Sequence, residues 1–351
     1  MKKITCILLS FFIFILNINA VSLNTESLEA MDINSKRVLY KKNENEVRLI
    51  ASTTKIMTAI LAIESNKLED VVEAKEEVLT MYGSNIYIEY HEHMLLLDLI
   101  YGLMLRSGND AAVVIANYIG GTEENFVKMM NDKAKELGMT NTTYQNPHGL
   151  DENTQNYSTA HDLNILYSYA YKNKIFKDIV GTKTYKTASD KKTYLWKNRN
   201  KILSIYDKAN GGKTGYTPSA KKVLVTSAQN KDLDIVISSF NSIYDYDLQK
   251  QIYEEIFMNY TNTLILDKNN FKPKNNPFRT KLYIKKSFSY PLTEEEQSKI
   301  TKKIKYYDEN KVKNKKVVGK IYVYLNNELI NTTDIYQKVK TKNNKFFSIF
   351  Q

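Results

Sequence analysis

Strand patterns enclose a long helical stretch in the first 260 residues, and this order most limits the fold. A hairpin is predicted over residues 28–41, where the polar segment DINS separates two apolar segments. Two further strands, LVTSA and DIVISSF, are predicted between residues 221 and 240. Apolar residues recur at helical spacing in four segments between these strands: 52–63, 94–105, 110–119 and 122–137. The pattern predicts an α/β domain with a helical insertion.

The composition changes near residue 260, which predicts a second domain. Residues 21–261 carry 28 basic and 31 acidic residues, whereas residues 262–351 carry 20 basic and 8 acidic residues. The segment NNFKPKNNP is typical of a linker, and TKLYIKK and GKIYVYLNNELI beyond it alternate with period two. We therefore expect a first domain over 21–260, a linker over 261–277 and a small basic β domain over 278–351.

The lysine excess of the second domain predicts attraction to an anionic surface, either an acidic membrane or an anionic wall polymer. A solvated surface is the alternative, and it is the usual explanation of scattered lysines. No nucleic-acid recognition motif accompanies the charge, so we expect no nucleic-acid partner.

The first 20 residues have the pattern of a secretory signal peptide, with Lys2 and Lys3 ahead of an apolar run from Ile4 to Leu16. The run is shorter than a spanning helix needs. The sequence therefore predicts export to the cell envelope, to the outer face of the cytoplasmic membrane or beyond it. Cys6 is the only cysteine, so no intramolecular disulfide and no cysteine metal site can form.

Ser52 and Lys55 form an S-x-x-K motif at the start of the first predicted helix. Residues three apart share one helix face, so the amine can lie beside the hydroxyl. Backbone N–H groups at a helix N-terminus favour the negative charge that develops when a serine attacks a carbonyl. Lys55 can be the base only if its amine is neutral, which requires desolvation or a neighbouring cation. An ordinary helix N-cap is the alternative interpretation of Ser52.

Two further polar motifs follow in the chain. Ser107 and Asn109 form S-x-N between two apolar helices, where a hydroxyl can relay a proton and an amide can hold a peptide group. Lys213, Thr214 and Gly215 form K-T-G before the LVTSA strand, where the amine and the hydroxyl can bind a carboxylate. Read singly, the S-x-N motif is as typical of a helix cap as of a functional site, and an ordinary glycine-flanked loop is the alternative interpretation of K-T-G.

In this order, S-x-x-K, S-x-N and K-T-G are the signature of penicillin-binding proteins and class A β-lactamases. The chain resembles the low-molecular-mass penicillin-binding proteins that act as D-alanyl-D-alanine carboxypeptidases, the serine peptidase family S11. Longer segments between residues 26 and 242 carry the resemblance: IASTTKIMTAI, DLIYGLMLRSGNDAAVVIAN, KAKELGMTNTTYQNPHGL, YSTAHDL, NRNKIL and GGKTGYTPSA. The segment VVGKIYVYLNNELI resembles, more loosely, the small β domain of many members.

The resemblance implies a fold and a set of catalytic residues. The fold is a β-lactamase- and DD-peptidase-like α/β domain, an antiparallel sheet with helices and a helical insertion, followed by a small all-β domain. Ser52 is the acylated nucleophile and Lys55 is its base. Ser107 and Asn109 line the cleft, for proton relay and for contact with a substrate amide.

The resemblance also implies how substrate is bound. Lys213 and Thr214 in the K-T-G motif, which Gly215 completes, hold the terminal carboxylate, with Arg199 as a second contact. The backbone N–H groups of Ser52 and Tyr216 form the oxyanion hole. The implied reaction removes the terminal D-alanine of peptidoglycan stem peptides ending in D-Ala-D-Ala. β-Lactam antibiotics are implied as acylating inhibitors, and no metal or organic cofactor is needed.

Several alternatives stay open at this level. A β-lactamase shares the motifs, although the middle triplet here is S-G-N and no glutamate motif for deacylation is present. A DD-endopeptidase or a non-catalytic wall-binding protein would share the fold. The segment His91-Glu92-His93 lacks the helical spacing of a zinc motif, so we expect exposed histidines in a polar loop and no metal site.

Overall fold

The computed structural model describes residues 25–243, 245–278, 280–308, 312 and 316–338. The predicted signal peptide with Cys6, and the end of the basic domain from residue 339 on, lie outside these residues. The strands are β1 (Ser27–Asp32), β2 (Val38–Lys42), β3 (Arg48–Leu49), β4 (Val71–Glu73), β5 (His93–Leu95), β6 (Tyr157–Ser158), β7 (Thr184–Ala188), β8 (Thr193–Lys197), β9 (Ala209–Thr217), β10 (Lys221–Asn230), β11 (Leu233–Phe240), β12 (Thr261–Leu266), β13 (Leu282–Tyr283), β14 (Phe288–Leu292), β15 (Ile300–Tyr306), β16 (Val317–Leu325) and β17 (Glu328–Gln337). The helices are α1 (Lys55–Glu64), α2 (Leu96–Leu105), α3 (Asn109–Gly120), α4 (Glu123–Glu136), α5 (Ala160–Ala170), α6 (Lys174–Gly181), α7 (Ile202–Ile205), α8 (Asp245–Asn259) and α9 (Glu294–Gln297), with short 3₁₀ turns at Ala51–Thr54 and Glu76–Val78.

A five-stranded antiparallel sheet organises the first domain. Its order is β2-β1-β11-β10-β9, so β1 pairs with β11 although more than 200 residues separate Ser27 from its partner Phe240. Strand β11 is rich in β-branched residues and is buried along most of its length, as a central strand should be. Strand β9 forms one edge of the sheet, and it carries the K-T-G motif.

Helices cover both faces of this sheet. Helix α8 packs on one face, where Ile252 and Tyr253 join a cluster with Leu28 and Ile237 of the sheet. The helical block of α1 to α6 covers the other face. Helix α1 lies inside that block, and every residue from Lys55 to Ile63 is buried. A helix that is apolar on nearly every side belongs in the interior, and it takes Lys55 there with it.

The second domain consists of two β layers. Its four-stranded sheet has the order β13-β17-β16-β15, and the β12–β14 pair packs against one face of it. Ile321, Val323 and Ile335 of the sheet meet Leu266 and Leu292 of the pair in the core. Alternate residues of β16 are buried and partly exposed, which is the pattern of a sheet with one covered face.

The predicted fold class is confirmed: an antiparallel sheet with a helical insertion is followed by an all-β segment. The helix predicted from residue 52 begins as an α-helix only at Lys55, because the residues before it form a 3₁₀ turn. The domain boundaries at 260 and 277 stay predictions. Within the described ranges, no helix is both long enough and apolar enough to cross a bilayer.

Candidate active site

Ser52 lies in the 3₁₀ turn that leads into α1. The turn is closed by one of its own side chains, since Thr54 Oγ1 donates to the Ala51 carbonyl at 2.8 Å. Ala51 has a φ of 45°, a left-handed conformation that costs a non-glycine residue about 1–2 kcal/mol. Such strain persists only where surrounding contacts determine the backbone. The turn therefore holds Ser52 in one place, three residues before Lys55.

The amine of Lys55 has three partners. Nζ lies 3.0 Å from Ser52 Oγ and 2.7 Å from Asn109 Oδ1, and it also contacts the His148 carbonyl. A neutral amine has two N–H donors and one lone pair. The two carbonyl oxygens take the two donors, which leaves the lone pair for the hydroxyl proton of Ser52. The arrangement matches a neutral lysine that accepts a proton from the serine.

The electrostatics of the site agree with this geometry. Burial lowers the pKa of Lys55 well below its ordinary value, and the positive charge of Lys213 lowers it further. The buried Asp110 carboxylate opposes this shift, and the Arg199 guanidinium adds to it. Lys55 has no exposed surface, so water does not stabilise the ammonium form. A serine needs such an adjacent, unprotonated base to become a nucleophile.

Lys213 and Ser107 form a second contact in the site. Lys213 Nζ lies 3.0 Å from Ser107 Oγ and 2.8 Å from the Thr214 carbonyl. Burial, together with the charge of Arg199, lowers the pKa of Lys213 to about 7. Arg199 itself is exposed and donates to Ser84 Oγ at 2.6 Å. The S-x-N motif and the K-T-G motif are thus in direct contact, with a guanidinium close by.

The free edge of β9 presents backbone groups toward this site. The Lys222 carbonyl accepts a hydrogen bond from Asn241 N at 2.7 Å, so Lys222 points its backbone groups away from β9. Lys222 is paired with Tyr216 across the β9–β10 ladder. In an antiparallel ladder such a pair is not hydrogen-bonded, so the Tyr216 N–H also points outward, to the open edge. The same alternation directs the Thr214 carbonyl outward, in agreement with its contact to Lys213.

Gly215 brings this edge against the turn that carries the serine. A Cβ added at Gly215 would lie 3.1 Å from the Ser52 nitrogen and 3.2 Å from the Ile50 carbonyl oxygen. The Tyr216 side chain is 65% exposed. The structure therefore gathers the three motifs in one cleft between the 3₁₀ turn, the α2–α3 link and the edge of β9.

A loop over residues 146–150 completes the site, and the motif analysis did not predict its contribution. Its His148 carbonyl is the third partner of Lys55. Burial lowers the pKa of the His148 imidazole to about 3, so the ring adds no charge near the lysine. Gly149 has a φ of 88°, and a Cβ there would lie 2.0 Å from the Ala51 carbonyl oxygen. The glycine in the sequence NPHGL is the one local signal that could have indicated this close approach.

A second loop that sequence reasoning missed supports Asn109. Asn109 Nδ2 donates to the Tyr82 carbonyl at 2.7 Å, which fixes the amide so that its oxygen faces Lys55. The buried Asp110 carboxylate accepts from the N–H groups of Ile86 and Ile88 at 3.0 and 3.1 Å. Burial raises the pKa of Asp110, and these backbone donors act against the rise. Asp110 follows the S-x-N motif directly, but only the folded chain shows that it anchors this loop.

The segment His91-Glu92-His93 takes no part in the contacts described above for Ser52, Lys55, Ser107 and Lys213. His91 and His93 are exposed, as expected, and their Nδ1 atoms contact Glu73 and Asp190. Glu92 between them is buried instead and accepts a hydrogen bond from the Tyr194 hydroxyl at 2.6 Å. In the part of the chain that the structure describes, no group of three or more His, Cys, Asp or Glu side chains is arranged to hold a metal ion.

A serine hydroxyl beside a buried amine, in a domain with an antiparallel sheet and a helical insertion, is typical of serine hydrolases that react through an acyl-enzyme. Residues 17–243 match the family model described as Peptidase S11, D-alanyl-D-alanine carboxypeptidase. The chain belongs to this family. Residues 262–343 match the model described as the C-terminal domain of penicillin-binding protein 5.

Individual proteins show the same similarity. The chain is 39% identical over 212 residues to the D-alanyl-D-alanine carboxypeptidase DacF of Bacillus subtilis, a match that spans 59% of this chain and 54% of DacF. It resembles the crystal structure of a D-alanyl-D-alanine carboxypeptidase from Mycobacterium tuberculosis, with a TM-score of 0.64, 29% identity and coverage of 67% of this chain and 91% of that one. Penicillin-binding protein 5 from Haemophilus influenzae shares the fold over both domains, with a TM-score of 0.76, 24% identity and coverage of 90% and 97%.

Proposed function

We propose that the protein is a serine-type D-alanyl-D-alanine carboxypeptidase that removes the terminal D-alanine from peptidoglycan stem peptides through an acyl-enzyme on Ser52. The observation that carries the proposal is the 3.0 Å contact between Lys55 Nζ and Ser52 Oγ, made by an amine whose pKa is held low by burial. Membership of the carboxypeptidase family supports the choice of substrate.

The first chemical step follows from these contacts. Lys55 accepts the Ser52 proton while Oγ forms a bond to the carbonyl carbon of the scissile D-Ala-D-Ala peptide. The negative charge on the carbonyl oxygen is stabilised by the backbone N–H groups of Ser52 and Tyr216, and loss of one such donor typically costs about 10²–10³ in rate. The substrate lies along the open edge of β9, which offers backbone partners to an extended peptide.

The second step releases D-alanine. The bond between the carbonyl carbon and the nitrogen breaks, and the departing amine takes a proton from the Lys55 ammonium group, with the Ser107 hydroxyl as relay. Lys213 and Thr214 bind the carboxylate of the leaving D-alanine, and Arg199 is the second cationic contact. Water then attacks the acyl-enzyme, and the proton transfers run in reverse to restore Ser52 and Lys55.

We further propose that the enzyme acts outside the cytoplasm, in the cell envelope, where its peptidoglycan substrate lies. β-Lactam antibiotics are proposed inhibitors, because their strained amide acylates the same hydroxyl and the amine of the opened ring stays tethered in the cleft. The mechanism uses side chains and water alone, without a metal or organic cofactor.

Labelling with a fluorescent penicillin, followed by peptide mass mapping, tests the acyl-enzyme. We expect one stable adduct on the peptide containing Ser52, and none in Ser52→Ala. Ser65→Ala, which removes another hydroxyl near a helix end, should label like the wild type. A label that survives Ser52→Ala would overturn the assignment.

Release of D-alanine from a D-Ala-D-Ala peptide, measured beside penicillin turnover, separates the related activities. We expect D-alanine release with slow penicillin turnover. Rapid penicillin hydrolysis without D-alanine release would indicate a β-lactamase, and cleavage of cross-linked peptide dimers alone would indicate an endopeptidase. If the folded protein shows none of these activities, a non-catalytic wall-binding role would be indicated.

A further inference from the structure

Among the described residues, one face of the four-stranded sheet in the second domain is not covered, and it combines tyrosine with lysine side chains. Its sheet buries one face in the core, and the opposite face carries side chains that are partly or fully exposed. We name this surface the tyrosine–lysine face. Its defining residues are Lys303 and Lys305 of β15, Lys320, Tyr322 and Tyr324 of β16, and Tyr336 of β17.

Strand register places these residues side by side. Lys303 pairs with Tyr322, and Lys305 pairs with Lys320, so all four point to the same side of the sheet. Tyr324 lies two residues beyond Tyr322 on that side. The rings and amines are also in contact, since Lys303 Nζ lies 5.3 Å from the Tyr324 ring centre.

The other end of the face repeats the combination. Tyr336 stacks on Tyr283 with ring centres 5.6 Å apart, and Lys285 Nζ lies 4.4 Å from the Tyr336 ring centre. Asp334 adds an acidic side chain to this surface, 4.0 Å from Lys320. Rings and amines therefore occur together across a face about 15–20 Å wide, given the usual spacing of strands and of residues two apart.

We propose that the tyrosine–lysine face binds a linear anionic glycan, a polymer of sugar rings that carry carboxylate or phosphate groups. The flat phenol rings can stack on the C–H faces of sugars, and their hydroxyls can exchange hydrogen bonds with sugar hydroxyls. The ammonium groups lie beside the rings, where they can pair with the acidic groups of the polymer. Binding of this kind would hold the carboxypeptidase proposed above in the polymer-rich wall.

Two simpler explanations fit less well. Lysines on an edge strand such as β15 guard against strand-to-strand aggregation, but this does not explain tyrosines on the interior strands β16 and β17. Attraction to a membrane would favour exposed aliphatic side chains beside the lysines. On the described part of this surface, Leu329 at the rim is the exposed aliphatic side chain, paired with Tyr324.

The test measures binding of the full chain to linear polyglucuronate by titration calorimetry. We expect binding that weakens with added salt. Replacing the amines (Lys303→Gln with Lys305→Gln) or the rings (Tyr322→Thr with Tyr324→Thr) should each weaken it about tenfold or more. Tyr322→Phe with Tyr324→Phe keeps the rings and should stay within about threefold of the wild type. All variants should keep the wild-type unfolding transition and the wild-type D-alanine release from a soluble peptide.

A matched control removes two lysines from outside the face, Lys268→Gln with Lys272→Gln, and should bind almost as the wild type does. Equal loss in this control would show that net charge alone acts, and it would overturn the proposal. So would unaltered binding by the threonine pair, equal affinity for polyphosphate, which has no rings, or no binding to polyglucuronate. Binding only to phosphatidylglycerol–phosphatidylcholine vesicles would assign the face to a membrane instead. D-Alanine release is measured separately, so its absence would contradict the proposed function and not this one.

Discussion

Lys55 can act as a base only because the fold removes it from water. In water a lysine amine is almost fully protonated at pH 7, and a protonated amine cannot accept the serine proton. Helix α1 is buried on all sides, and two carbonyl oxygens take the remaining N–H donors of the amine. The reactivity proposed for Ser52 thus depends on where the helix lies, in addition to the spacing of the motif.

Lys55→Met tests this dependence. The methionine keeps the length and the apolar character of the side chain but has no lone pair on nitrogen, so the serine loses its base. We expect the second-order rate of acylation by penicillin to fall on the order of 10²–10⁴-fold. Stopped-flow fluorescence with a labelled penicillin measures it. Lys222→Met, which changes an exposed lysine, serves as the control, and a loss of less than about tenfold at Lys55 would contradict the base assignment.

The sequence predicted the Ser52–Lys55 contact because a helix repeats every 3.6 residues. It did not predict the His148 carbonyl as a partner, since 93 residues separate it from Lys55 and no local pattern records the contact. The role of Asp110 was not predicted for a similar reason. An aspartate in the first turn of a helix is common, and its hydrogen bonds to Ile86 and Ile88 form only in the folded chain. The proposed roles of the motif residues remain predictions that the experiments above address.

At the scale of elements, the cleft depends on three pieces of backbone that approach closely. The 3₁₀ turn at Ala51–Thr54 lies between the edge of β9 on one side and the loop at Gly149 on the other. Helical periodicity predicted α1 to α4 well, because each of them has a continuous apolar face. The 3₁₀ turn was not predicted, since the residues ASTT before Lys55 suit either helix type.

Gly149→Ala tests the close approach. The added methyl group would lie 2.0 Å from the Ala51 carbonyl oxygen, which is a steric clash. The alanine would also have to adopt a φ of 88°, which strains the backbone. We expect the free energy of unfolding to fall by several kcal/mol, roughly 3 or more, and acylation of Ser52 to slow. Urea denaturation and penicillin labelling measure the two effects.

Gly138→Ala is the matched control for this change. Gly138 has a φ of 77°, close to that of Gly149, but an added Cβ there would meet nothing within 4 Å. It should therefore show the backbone cost alone, about 1–2 kcal/mol, with normal acylation. If Gly149→Ala and Gly138→Ala lower the free energy of unfolding equally, the contact between Gly149 and the serine turn does not contribute to stability.

At the scale of the whole molecule, the two domains meet far from the cleft. Arg37, between β1 and β2, donates to Glu296 of α9 at 3.0 Å, and its guanidinium lies 5.1 Å from the Tyr290 ring centre and 5.3 Å from that of Tyr260. This contact is at the β2 side of the sheet, whereas the site is at the opposite edge, β9. The described residues of the basic domain that contact Arg37 thus lie away from the site, an arrangement that the change of charge near residue 260 did not indicate.

The buried amine of Lys213 should make the free energy of unfolding of the whole molecule depend on pH. Its pKa is about 7 in the folded protein, because of burial and the charge of Arg199, and near 10.5 in the unfolded chain. Below pH 7 both states hold the proton, and the folded protein bears the full cost of a buried ammonium group. Between pH 7 and about 10.5 the unfolded chain binds more protons, so the free energy of unfolding rises with pH.

Lys213→Met removes this cost, and its effect on stability should therefore depend on pH. We expect the variant to gain stability relative to the wild type at pH 6 and to lose roughly 2–3 kcal/mol of that gain by pH 9, since one pKa unit corresponds to about 1.4 kcal/mol. Urea denaturation of both proteins at the two pH values measures the change. Lys222→Met, at an exposed lysine, serves as the control. A stability difference between Lys213→Met and the wild type that is constant from pH 6 to pH 9 would contradict the lowered pKa of Lys213. It would mean that Lys213 stays protonated over this range and keeps its positive charge near Lys55.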